Sequence, residues 1–119
     1  MAVQSGLSSA PIGLNASTDT TLASGGTTPT RALLTGFSLF NTSAGTRAID
    51  LYESPDTTSA AGKKIATYTI GTLMSQDVVE LIGAGLSSGQ NIIGKQTTGG
   101  ASANDINAKV TYTQYTVGS

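Results

Sequence analysis

Residues 31–54 read RALLTGFSLFNTSAGTRAIDLYES, and this stretch decides the fold class. Its first eleven residues include Leu33, Leu34, Phe37, Leu39 and Phe40, which puts apolar side chains on both sides of an extended chain. A strand apolar on both faces is expected to be central and covered on both sides. Asn41-Thr42-Ser43-Ala44-Gly45 then carries turn chemistry of the kind that joins antiparallel strands. Arg47–Ser54 follows, with Ile49 and Leu51 on one face and Asp50 and Tyr52 on the other, so it reads as a half-buried strand.

The pattern continues towards the C-terminus. Lys64–Ile70 is a third strand, and Gly71-Thr72 turns the chain. Ser75–Ile82 fits a strand or a short helix, and its Val-Val pair between glycines favours a strand. Gly83–Gly89 is a glycine-rich loop. Asn91–Thr97 is a strand, with Gly94 as a candidate bulge. Ala108–Val117 alternates cleanly and closes the set. No helix is long enough for a βαβ crossover, so the strands must pair antiparallel. A two-sheet sandwich, jelly-roll-like, is the expected architecture.

Composition sharpens the function classes. Ser, Thr, Gly and Ala supply 62 of the 119 residues, so the apolar core is thin and self-association is expected. The chain has no His, no Cys and no Trp. It therefore lacks the commonest general base, the thiolate nucleophile and the usual transition-metal ligands. A net charge of -1 gives no footprint for nucleic acid or an anionic membrane. The N-terminus lacks the basic region and apolar run of a secretory signal.

The residues that could do chemistry are dispersed. Lys63, Lys64, Lys95 and Lys109 belong to no nucleophile motif. Asp50 and Glu53 stand at an odd offset on one strand, hence on opposite faces, and Asp77 and Glu80 share that problem. These carboxylates read as solvent-face and edge residues. GAGLSSG lacks the lysine and hydroxyl that end a phosphate loop. Asn15-Ala16-Ser17 and Asn41-Thr42-Ser43 match the glycosylation triplet by chance. Tyr52, Tyr68, Tyr112 and Tyr115 all fall on strands, where core or subunit contact outweighs an exposed aromatic platform. No catalytic residue, cofactor or metal is expected.

Residues 1–30 form a different region, with Asp19 as their sole charge and isolated apolar residues. They read as an extended N-terminal arm preceding a sandwich domain over 31–119, with a frayed terminus as the alternative. The arm holds possible short strands at Ile12–Ala16 and Thr20–Ala23. Val3, Leu7, Ile12 and Leu14 are its candidate partner-binding residues.

From Thr30 to Tyr52 the chain resembles a pattern common among small bacteriophage virion proteins, in which a strand, an Asn-Thr-Ser turn and the paired strand follow one another. The terminal AKVTYTQYTV is similar to the last strand of such proteins. The resemblance implies a capsid decoration, or cement, protein made in the host cytoplasm and carried on the virion surface. Its implied partner is the major capsid protein or another virion protein, and its implied assembly is a homotrimer with an arm clamping the shell. A tail, neck or fibre component of similar fold is the alternative, and a carbohydrate-binding module is a more distant one.

Overall fold

The computed structural model describes residues 2–8, 12–15, 18–26, 30–98, 102 and 104–116, with the backbone alone for residues 2–8 and Glu80. Among the described residues ten strands run in chain order: β1 (Ala2–Ser8), β2 (Ile12–Gly13), β3 (Thr20–Ser24), β4 (Thr30–Asn41), β5 (Arg47–Ser54), β6 (Lys63–Ile70), β7 (Ser75–Asp77), β8 (Gly85–Leu86), β9 (Asn91–Gln96) and β10 (Ile106–Thr116). A single 3-10 turn, Val79–Leu81, is the only helical element among the described residues. No helix there is long and apolar enough to cross a membrane.

The strands form two antiparallel sheets. One has the order β1-β10-β4-β7, with β2 also on β10 and β8 also on β4; the other has the order β3-β9-β5-β6. The chain is all-β and sandwich-like, as its alternation and lack of helix formers dictate. Ala32, Leu34, Phe37 and Leu39 of β4 and Ile106, Ala108 and Val110 of β10 face Leu22, Ile49, Leu51, Ile70 and Ile92 of the second sheet.

Several expectations need correction. β4 is central but covered on one face only. Its pairing with β10 slips between Thr111 and Tyr112, leaving Thr35 as an extra residue whose hydroxyl donates to the Thr111 carbonyl at 3.1 Å. This bulge shifts the phase by one, so Ala32 and Leu34 before it and Phe37 and Leu39 after it all point inward. Of the apolar residues that suggested two covered faces, Leu34, Phe37 and Leu39 share the covered one, and Leu33 and Phe40 are left outside.

The Asn41–Gly45 turn does not join paired strands. β4 pairs with β10, β7 and β8, whereas β5 pairs with β6 and β9, so this turn crosses between the sheets. Asn41 is buried and anchors the crossing. Its Nδ2 donates to the Gly45 and Ile70 carbonyls at 2.8 and 2.9 Å, and its Oδ1 accepts from the Ser43 N–H and hydroxyl at 2.8 and 2.7 Å. Next to it Arg47 Nε donates to Asp105 Oδ2 at 2.9 Å. A side chain so enclosed leaves the second glycosylation triplet without an accessible acceptor.

Segment 75–82 is extended only to Asp77 and then turns through 3-10 geometry, because Val78 is buried and its N–H bonds the Phe37 carbonyl at 2.9 Å. Gly94 is no bulge: β9 pairs with β5 in unbroken register, and the slip against β3 places the extra residue at Leu22. Gly94 instead makes room, since a Cβ there would stand 2.8 Å from Leu22 Cδ1 and 3.2 Å from Leu14 Cδ2.

The N-terminal region is not separate from the sandwich. β1 and β2 pair with β10, and β3 pairs with β9, so residues before Thr30 contribute strands to both sheets. The division at residue 30 therefore does not divide the core.

Candidate interaction surfaces

The four residues expected to meet a partner divide into two pairs. Leu14 is fully buried; its N–H bonds the Ile106 carbonyl at 2.8 Å, and its own carbonyl accepts from Asn104 N–H and Gln96 Nε2. It is a core residue, because the polar turn around Asn104 folds over it. Ile12 packs half-buried against the same core. Val3 and Leu7 lie on β1, opposite Tyr115 and Tyr112 of β10, with side chains outside the described residues.

β1 belongs to an extension of the first sheet. Every residue of β10 from Thr111 to Thr116 is half-exposed, on both faces of the strand, and none of them is buried. The opposite sheet therefore covers this end only partly. Tyr112 reaches the core, while Tyr115 lies beyond it. β1 is the outer strand here: among the described residues no further strand pairs with its far edge, and an edge of that kind is one another strand can complete. The molecule is correspondingly long, 50 × 26 × 21 Å.

A second surface runs along the β7–β8 edge. Leu73 and Val79 are 66% exposed, Met74 is 60% and Ile82 is 46%. The local fold forces this exposure. Met74 N–H closes a turn on the Gly71 carbonyl at 3.2 Å, with Leu73 at φ 54, a left-handed conformation that leucine rarely adopts. Val78 points inward, so its neighbour Val79 must point out. Gly83 N–H then bonds the Leu34 carbonyl at 2.7 Å and ties the segment back to β4.

The polar clusters are built around saturated carboxylates. Asp50 lies on the outer face of the second sheet, yet it is only 8% exposed, unlike the solvent-face residue expected. It accepts from the Thr67 hydroxyl at 2.8 Å and from the Tyr52 hydroxyl at 3.4 Å, and Lys64 Nζ lies 3.0 Å away. A slip in the β5–β6 register leaves Ile65 unpaired and lets Lys64 share the face of Thr67. Burial pushes the Asp50 carboxyl up, but the hydrogen bonds from Thr67, Lys64 and Tyr52, with the Lys64 charge, hold it below its ordinary value. Hydrogen bonds from Thr58 and Ser54 lower Asp56, and those from Ser102 and Arg47 lower Asp105. Such carboxylates stay ionised and are poor proton donors near neutrality. Glu53, at the odd offset from Asp50, is exposed. Among the described residues no three acidic side chains gather as a metal site.

The tyrosines differ in cover, and Tyr115 is half-exposed. Tyr68 and Tyr112 pack against the core, and Lys64 Nζ stands 6.0 Å over the Tyr52 ring. No protein-family model matches the chain, and neither a curated protein nor a solved structure matches it.

Proposed function

We propose that this chain is a structural component of a bacteriophage particle that decorates the capsid by binding the outer surface of the major capsid protein shell. Its task is attachment and has no catalytic step. The observation that carries this reading is the partly covered end of the first sheet, where β1 is the outermost strand among the described residues, beside the half-exposed strand β10. A strand of the shell protein added to that edge would bond main chain to main chain, and repetition over many copies would multiply a weak contact. The likeness of Thr30–Tyr52 to small virion proteins supports the same assignment, and Val3 and Leu7 on β1 remain its arm contacts.

The test uses purified protein and shells assembled without a decoration protein. Expected are co-sedimentation with the shells and a higher temperature of shell disruption. Shells that neither bind the protein nor gain stability overturn the proposal. Density for it at the tail of an intact particle transfers it to the tail.

A further inference from the structure

β1 is joined to the sandwich through a single strand. Among the described residues it pairs with β10 alone, Ala2–Ser8 against Thr111–Thr116, whereas β10 is paired with β4 along its whole length. We propose that β1 is exchanged between copies of this chain: the β1 of one copy lies on the β10 of a second, and the reverse, in a two-fold pair. The structure itself shows which strand this edge of β10 accepts, and every copy carries an identical one. Exchange of an identical element restores each main-chain bond that opening breaks, and so reaches a dimer at low cost.

Breaks in register set β1 off as a unit. From Val3 to Gly6 it takes three steps against two on β10, from Tyr115 to Thr113. From Ser8 to Ile12, where β2 begins, the chain takes four steps against three, from Thr111 to Ala108. Each slip leaves one residue out of the ladder. Pro11 stands in the second interval of the sequence, and proline has no N–H to give a ladder. The paired strands are also unequal. β1 reads AVQSGLS, with two serines, a glycine and no aromatic residue, whereas β10 carries VTYTQYT, whose branched and aromatic residues suit a sheet. A strand that is weakly registered on a strong neighbour opens before the sandwich does.

Shape and charge leave room for the exchange. Thr111–Thr116 is half-exposed on both faces with β1 in place, so this end of the first sheet projects past the second. Two projecting ends can lie side by side, which strands enclosed within a sandwich could not do. No charged side chain occurs in residues 1–18 or 110–119, so two ends meet without opposing like charges. Neither β1 nor Thr111–Thr116 carries the lysine or proline that commonly guards a sheet edge against a second chain. β1 is outermost whether it lies on its own β10 or on another copy's, so the exchange does not depend on shell binding.

The test is the double variant Val3→Cys/Tyr115→Cys, at opposite positions of the ladder in a chain with no other cysteine. Oxidised at high protein concentration and separated in denaturant without reductant, it should yield two linked copies, and either single variant should yield single copies. Light scattering on the full unsubstituted chain should give the mass of two copies at high concentration. Deletion of residues 2–8 should reduce that mass to one copy and keep cooperative thermal unfolding. Links within single chains only, at every concentration, overturn the proposal, because each β1 then stays on its own β10. So does a two-copy mass that survives the deletion, which places the contact elsewhere, or a one-copy mass of the full chain throughout. Failure of shell binding leaves the exchange intact, so the two proposals fail separately.

Discussion

Asn41 satisfies all its donor and acceptor capacity inside the inter-sheet turn. Asn41→Ala would remove the buried donor to the Ile70 carbonyl and the acceptor for the Ser43 N–H, and would leave the Gly45 carbonyl only the Ser43 hydroxyl. The expected loss is about 2–4 kcal/mol in urea denaturation, since each orphaned buried group costs about 1–3 kcal/mol. A loss below about 0.5 kcal/mol would show that water replaces the amide, as at an exposed site. Gly94→Ala tests close packing. Its Cβ would crowd Leu22 and Leu14, both buried, at an expected cost of about 1–3 kcal/mol with the strand intact. Asp50 and Lys64 set a pH window. A lowered carboxyl contributes stability above its ordinary 3.8, lost as pH falls through the folded value; a raised ammonium contributes below 10.5, lost as pH rises through the folded value. With no histidine or cysteine, no side chain of ordinary pKa titrates in the middle of that window, between about pH 5 and 9. Urea midpoints should therefore be nearly flat from pH 5 to 9, and Asp50→Asn should shrink the fall below pH 4. An acid limb unchanged in that variant would mean that Asp56 and Asp105 carry it. The turn chemistry of Asn41 was legible in the sequence. The burial of Asp50 was not, because a register slip in β6 brings Lys64 over it.

At the scale of elements, slips of one residue decide most of what differs from the expected pattern. The bulge at Thr35 turns an apparently two-faced strand into a one-faced one, and the slip at Ile65 gathers the Asp50 cluster. Periodicity places strands 31–41, 47–54, 64–70 and 91–97 within a residue of their observed limits, since branched and aromatic residues bounded by Gly, Pro and Asn define them locally. A bulge leaves no such trace, because its effect depends on the partner strand. β1 supports a prediction at this scale. Deleting residues 2–8 removes the outer strand but keeps Leu14 and the inter-sheet core. The shortened chain should keep cooperative thermal unfolding and lose shell binding. Removal through residue 16 takes Leu14 as well and should cost several kcal/mol, as loss of a fully buried leucine does. Equal stability of the two deletions would mean that Leu14 is not held as described.

At the scale of the molecule, the sandwich is woven rather than hairpin-built. Among the described residues, β5 and β6 are the only consecutive strands that pair with each other. Most long-range contacts must therefore form before either sheet is complete, and slow folding relative to helical chains of this length is the expected kinetic signature. The sequence by itself determined the all-β class, the absence of a helical crossover and the turn at Asn41. These follow from side-chain shape, alternation and local hydrogen bonding, which neighbouring residues carry with them. Only the tertiary structure decided which sheet each strand joins, which face of β4 is covered, that Leu14 is core, and that Leu73, Met74, Val79 and Ile82 lie outside it. Those outcomes depend on register between segments distant in sequence, and a one-residue slip there turns a side chain from the core to water.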